Sequence, residues 1–340
     1  MNRVRTLLRD AGFEAEPSAI VVQGLNPAPH SKLLYFVFFD GQSEPSVVAK
    51  RIRNPVLVEH LVREYENVAL AFRGLGEGTL RVPEALGLDG ESGLYLQTVI
   101  AGESMFQKIR RHGHRLTVQE VKVFFSKALE VESKVADVSD SCGPTVVHSG
   151  SDTWRTLLEQ AISIHTLSPE ESALLKEEEQ ALGRALRGGK LKLTPQHGDF
   201  WAGNLFVDGS NRWLLDWEWW GWVDLPGFDI AFVLVTTARR LKLGKASWAK
   251  FDWDASWASN LGDSRADVWE LVELAKGALA ERFGLPGSEA SRYLGSLLTV
   301  CPAMLSVRDY GISGQVSPAD VEWLAYFRNL AAQSRSFRSD

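Results

Sequence analysis

The 340-residue chain has a net charge of −6, two cysteines, 45% hydrophobic and 24% charged residues. These fractions exclude wholesale disorder and collagen-like repeats, and the mild acidity argues against non-specific nucleic-acid or anionic-membrane partners. At ~150 residues per domain, the length suits two domains or one large bilobal one.

The longest strongly apolar run, Leu33–Phe39, is far short of the ~20 residues of a membrane span. The first ten residues hold no apolar stretch, so no secretory leader is expected. Cys142 and Cys301 cannot form a disulfide framework and fit a reducing cytosol. Read in chain order, Ser18–Gln23 and Lys32–Phe39 are β-branched or aromatic runs separated by the turn-rich segment 24–30. Asp40-Gly41 is a turn, and Ser46–Ile52 another strand. Val58, Leu61, Val62, Tyr65, Val68, Ala69 and Phe72 recur with helical period, and Gly74 and Gly76 are expected to stop that helix. Leu94–Ile100 is a further strand. Beyond Gly102 the chain reads as helical, over 117–136, 153–164 (Asp152 as N-cap), 169–187, 267–283, 288–308 and 319–334. One strand-like island lies between Leu191 and Trp217. A sheet-rich lobe, 1–100, is thus expected before a larger helical lobe, 101–340, with a hinge near 98–102.

The chemistry concentrates in the island. Asn204–Asp208 and Arg212–Asp216 read as a hairpin closed by a three-residue turn, Gly209-Ser-Asn211. In that register Asn204 opposes Asp216, with Cβ atoms roughly 5 Å apart, and their oxygens suit a hard cation such as Mg²⁺. The intervening residues are apolar on both faces, which predicts a buried hairpin with two polar groups at its end. Asp199, five residues before Asn204, is a carboxylate able to orient a substrate hydroxyl and accept its proton.

His197-Gly-Asp199-x4-Asn204, followed by Leu-Leu-Asp216-Trp-Glu218 and Gly227-Phe-Asp229-Ile-Ala231, resembles the aminoglycoside phosphotransferase and choline kinase superfamily. These are small-molecule kinases with a protein-kinase-like fold. The resemblance implies an α+β bilobal architecture: a small antiparallel-sheet lobe, then a larger helical lobe bearing the catalytic hairpin. It also implies Asp199 as catalytic base, Asn204 and Asp216 as Mg²⁺ ligands, and His197 and Asp229 as structural braces of the catalytic loop. The strand Val47-Val-Ala-Lys50 resembles the one carrying the phosphate-binding lysine, which needs an anionic partner. Periodicity leaves Glu59, Glu64 and Glu66 open; the family's Arg-Glu pattern points to Glu64. Thr98 and Ile100 would offer backbone contacts to adenine, with Gln97 behind them, and Ser31 a hydroxyl near the phosphates.

Twelve tryptophans are present, five of them, Trp213, Trp217, Trp219, Trp220 and Trp222, within ten positions. Trp213 and Trp217 are expected in the core. Trp219, Trp220 and Trp222, with Glu218 and with Trp201 of the catalytic loop, are candidate substrate contacts, since an aromatic wall attracts cationic or sugar substrates. Asp224 reads as an acidic surface turn. The expected function is an ATP- and Mg²⁺-dependent kinase of a small-molecule hydroxyl, GTP being an alternative donor. The acceptor would be an aminoglycoside, sugar or amino alcohol, and neither nucleic acid nor membrane a partner. A catalytically silent, nucleotide-binding pseudokinase is the alternative. The absence of His-Arg-Asp argues against a protein kinase.

Overall fold

The structure is a computed structural model, and it describes residues 2–24, 32–75, 78–111, 118–144, 152–243, 269–313, 323–328 and 331. Helix α1 (Asn2–Asp10) leads into strands β1 (Ala19–Gly24), β2 (Lys32–Phe38) and β3 (Val47–Ile52). Helix α2 (Val58–Leu75) and strands β4 (Leu80–Arg81), β5 (Ala85–Asp89) and β6 (Leu94–Thr98) follow. A five-stranded sheet of order β1-β2-β3-β6-β5 results. All its pairings are antiparallel. The register sets Lys50 opposite Leu34 on one side and Tyr95 on the other. Alternation therefore puts Lys50 and Tyr95 on one face, while Ala49, Leu94 and Leu96 join Val4, Leu7 and Leu8 of α1 in a small core on the opposite face.

The second part holds β7 (Glu103–Ser104), α3 (Met105–Arg111), α4 (Val118–Cys142), α5 (Thr153–Ile164), α6 (Pro169–Arg187), β8 (Leu205–Asp208) and β9 (Asn211–Leu214). Then come α7 (Phe228–Leu243), α8 (Trp269–Phe283) and α9 (Gly287–Ser313). Its strands form a sheet of order β4-β9-β8-β7. Leu80 and Arg81, from the sequence ahead of the expected boundary, pair in parallel with β9 and so belong to this sheet. The main core gathers α4 through α9 and also takes Val68 and Ala71 of α2. Helix α2 therefore joins the two parts.

Three local expectations change. Helix α2 runs through Gly74, because that glycine serves packing: a Cβ there would lie 2.3 Å from the Cys142 sulfur of α4. The hairpin closes with two residues, Gly209 and Ser210, Gly209 at φ +55. A two-residue loop with glycine first suits a turn whose twist matches that of the flanking strands. The register accordingly shifts by one, so Leu205 pairs Leu214 and Phe206 pairs Trp213. Asn204 faces Leu215 through a 3.0 Å backbone bond, and Asp216 lies one residue beyond. The hairpin also has one buried face, Leu205, Val207 and Leu214, instead of two; Phe206 and Trp213 are half-buried, with Arg81 over the Trp213 ring.

The third change concerns the start of α5. Asp152 precedes it but makes no side-chain cap bond, and instead pairs with Arg155 at 2.6 Å. The caps come from Asp224, whose buried carboxylate accepts from the amides of Thr153 (3.1 Å) and Trp154 (3.0 Å). A residue that reads as a surface turn is thus an N-terminal anchor placed from 70 residues away. Asp224→Ala should destabilise the protein by about 1–3 kcal/mol, because it leaves two buried amides unpaired. Asp152→Ala should stay within about 0.5 kcal/mol of wild type. Urea titration of both variants checks the ordering.

Candidate active site

Two lysines from the first sheet meet one carboxylate of α2. Glu64, fully buried, accepts from Lys50 on Oε1 and from Lys32 on Oε2 at 2.7 Å. Each lysine also reaches across to the second part of the molecule: Lys50 to Asp216 Oδ1 at 2.9 Å and Lys32 to Glu218 Oε2 at 2.9 Å. Burial alone would discharge these ammonium groups. Glu218, Glu64 and Asp216 outweigh it at Lys32, and Asp216 and Glu64 do so at Lys50, so both sit above the ordinary lysine value. Reciprocally, burial disfavours the Asp216 charge, but Lys50 and Lys32 hold that carboxyl well below the usual range.

The position of Asp216 has a backbone cause. It is the one non-glycine residue with positive φ among the described residues, at φ 57 and ψ 61. Left-handed backbone is costly for a residue with a Cβ and is kept where surrounding structure imposes it. Here the ion pair with Lys50 and the short helix that follows, Trp217–Trp219, impose it. Asn67 of α2, buried, donates to the Trp217 carbonyl at 2.7 Å and ties that turn to α2.

Asp199 is held on both oxygens. Asn204 Nδ2 donates to Oδ2 at 2.8 Å and to the Asp199 carbonyl at 3.0 Å, and Arg308 Nη1 donates to Oδ1 at 2.9 Å. Burial pushes the Asp199 carboxyl up, and Arg308 pulls it partly back. Gly198, at φ +79, leaves no room for a side chain, since a Cβ would lie 2.7 Å from the Trp219 carbonyl. The loop is braced from beneath by Asp229, which accepts from the His197 amide at 2.6 Å and the Gly198 amide at 3.0 Å. The His197 ring lies against Trp217 and Phe200. Its Nδ1 accepts from the Asp199 amide at 3.3 Å and its Nε2 bonds the Leu215 carbonyl at 3.1 Å, which assigns the proton to Nε2. Burial lowers this imidazole to about 4, so it stays neutral.

Of the residues singled out from the sequence, Lys50, Glu64 and Asp216 form one ion-paired cluster, and Asp199, Asn204, His197 and Asp229 one hydrogen-bonded loop. The Thr98 amide donates to the Glu84 carbonyl and its hydroxyl oxygen accepts from the Glu84 amide, so the Thr98 amide is already engaged and is not free for a base. Ile100 is half-buried in the link between the sheets. Ser31 lies outside the described residues. The tryptophans divide. Trp217 is core, as expected. Trp220 is core too, against expectation: it is 2% exposed and its indole N–H donates to Ser139 of α4. Trp219 is buried between His60, Trp222 and the Arg308 guanidinium. Trp222 and Trp201 are half-buried, Trp201 against Phe106. Glu218 is engaged by Lys32.

Two residues of this site escaped the sequence reading. Lys32 looks like a strand-end lysine. Arg308 breaks a charge-free stretch of α9, 293–307, and that break was the available signal. Among the described residues no three His, Cys, Asp or Glu side chains form a metal cluster. The Asn204 amide and the Asp216 carboxylate are hard oxygen donors of the kind Mg²⁺ takes when phosphates complete its shell.

A family model described as the phosphotransferase enzyme family matches residues 30–273, and the chain belongs to that family. No curated protein matches the sequence. Among solved structures, the GDP complex of wild-type aminoglycoside 2'-phosphotransferase-IIIa is 11% identical with TM-score 0.58, covering 99% of both chains. Choline kinase from Cryptosporidium parvum Iowa II is 14% identical with TM-score 0.58, covering 99% of this chain and 96% of that one. Amicoumacin kinase in complex with AMP-PNP, Ca²⁺ and Ami is 10% identical with TM-score 0.53, covering 98% and 92%. At these identities the likeness is one of fold, the α+β architecture of small-molecule kinases.

Asp229 generates a stability prediction. Burial, with Glu132 as a like charge, pushes its carboxyl up to about 8 despite the two amide donors. The folded chain then keeps a proton that the unfolded chain releases above about 4, so this group's contribution falls as pH rises toward 8. Burial lowers His60, His165 and His197, whose effect runs the other way and acts below 6.5. Between pH 6.5 and 8, wild type should therefore lose stability through Asp229 by up to about 1.4 kcal/mol per pH unit. Asp229→Asn should flatten that slope in Tm measured against pH.

Proposed function

We propose that the protein transfers the γ-phosphate of ATP, with Mg²⁺, to a hydroxyl of a small molecule such as an aminoglycoside, sugar or amino alcohol. One observation carries the reading: the Asp199 carboxylate, fixed by Asn204 and Arg308, belongs to the same loop assembly as Asp216, which pairs with the Lys50–Glu64 cluster. A base for the acceptor and a grip for the donor thus share one cleft. In this reading Lys50 binds phosphate oxygens, while Asn204 and Asp216 hold the metal, which neutralises charge on the transferred group. Asp199 orients the acceptor hydroxyl and takes its proton as the oxygen attacks phosphorus. A carboxyl raised by burial is a better proton acceptor than an ordinary one. The family supplies the reaction class, and relatives of the same fold have been solved with nucleotides and with an antibiotic.

Arg308 is a positioning residue, acting through Asp199. Glu218, Trp201 and Trp222 border the acceptor side, where half-buried aromatic faces suit a sugar ring or an amine. No helix among the described residues is long and apolar enough to cross a membrane. With both cysteines free, we place the enzyme in a reducing cytosol.

Asp199→Ala should lower kcat by about 10²–10⁴-fold while nucleotide still binds. Asp216→Ala should instead abolish Mg²⁺-dependent nucleotide binding. ADP or GDP release across choline, ethanolamine, aminoglycosides, macrolides, hexoses and homoserine reads the turnover, and calorimetry with nucleotide·Mg²⁺ reads the binding. Nucleotide binding with no transfer to any alcohol would favour the pseudokinase. Arg308→Ala should lower kcat with nucleotide affinity retained. It should also move the acid limb of the pH–rate profile to higher pH, because the guanidinium is what pulls the Asp199 carboxyl down.

A further inference from the structure

Glu64 has more partners than a buried carboxylate needs. One ammonium neutralises it, yet it holds two, one on each oxygen. The two lysines are placed alike. Lys32 lies opposite Ile52 and Lys50 opposite Leu34, so both project from the same face of adjacent strands. Each then spends a second contact on a carboxylate of the Asp216–Glu218 turn, Lys50 on Asp216 and Lys32 on Glu218, both at 2.9 Å. Their side chains are similarly enclosed, 5% and 12% exposed. Two ammonium groups beside three carboxylates leave the cluster with one net negative charge. That balance would change with a bound polyphosphate: Asp216 would hold its metal, and both lysines would be free to face phosphate oxygens. The geometry that makes Lys50 a phosphate grip applies to Lys32 without alteration.

We propose that Lys32 is a second phosphate-binding lysine, which exchanges Glu218 for an oxygen of the bound nucleotide's β- or γ-phosphate while Glu64 keeps both lysines in place. This rests on the nucleotide-dependent kinase reading above. The competing role is a strut, in which Lys32 only ties the first sheet to the turn carrying Glu218. The two roles differ in a measurable way. A strut supports the whole cleft, so its loss weakens adenosine and ATP binding alike. A phosphate contact is felt by ATP and not by adenosine, which carries no phosphate.

Two experiments on the full chain decide it. In the first, Lys32→Met and Lys32→Gln are titrated with ATP·Mg²⁺ and with adenosine by calorimetry. The expected result is a Kd for ATP raised at least about tenfold, the loss of one charge-assisted contact, with adenosine affinity within twofold of wild type. In the second, wild-type protein is treated with an acyl phosphate of ATP, in which an amine touching the phosphates attacks the acyl carbon and ATP leaves. Peptide mapping should find the acyl group on Lys32 as well as Lys50, with both labels suppressed by excess ATP. Label on Lys50 alone, or unchanged ATP affinity in folded Lys32 variants, or equal losses for ATP and adenosine, would overturn the proposal. The labelling arm needs no variant, so it decides the matter even if both substitutions prevent folding. Wild-type protein that binds neither ATP nor GTP would instead sink the kinase reading itself, a failure visible before Lys32 is tested.

Discussion

A fully buried carboxylate holding two ammonium groups is the constraint around which this molecule is arranged. Glu64 sits on α2, its lysines on β2 and β3, and their remaining contacts on the turn after β9. Removing one member would strand a buried charge, which costs far more than an exposed pair contributes. The charges therefore hold the two sheets in register across the cleft. Packing and a hydrogen bond support them: α2 joins the main core through Val68 and Ala71, and Asn67 donates to the Trp217 carbonyl.

The loop bearing Asp199 depends on a different device, backbone amides satisfied by a buried acid. Asp229 accepts from two successive amides, His197 and Gly198, and the neutral His197 ring bridges the Asp199 amide to the Leu215 carbonyl. The loop and the strand leading to Asp216 are thus one hydrogen-bonded unit. Among the described residues Asp216 is the one non-glycine held left-handed, and that backbone turns its carboxylate toward Lys50. Asp224 repeats the device on α5. In both places an acid distant in sequence satisfies amides that local residues leave open, and this permits polar chain ends inside an apolar core.

The aromatic cluster shows how one sequence feature divides between packing and chemistry. Trp217 and Trp220 contact edge-to-face at 4.9 Å within the main core. Trp219 faces the other way and supports Arg308, whose guanidinium lies 5.5 Å from its ring while reaching Asp199. The tryptophans therefore connect the core of the helical part to the Asp199 carboxylate.

Residues whose role depends on neighbours in the chain were legible beforehand. Helical periodicity located α2 and β-branched runs located β1, β2 and β3, because local backbone geometry converts spacing into position, while the family resemblance carried by His197, Asp199, Asn204 and Asp216 marked the loop. Residues whose role depends on distant partners were not. Lys32 and Arg308 look like ordinary surface cations until β2 is set beside α2 and α9 beneath the loop. Asp224 looks like a turn acid until α5 arrives. Trp220 looks like its neighbours until the short helix Trp217–Trp219 decides which indoles face inward. The hairpin register turned on one residue of loop length, which flips every side chain to the other face. The sequence by itself determined most of the elements, since these follow from local chemistry, and it marked the polar residues of one loop as candidates. Only the tertiary structure decided which charges are buried together, because pairing a buried charge requires a partner that no local rule can supply.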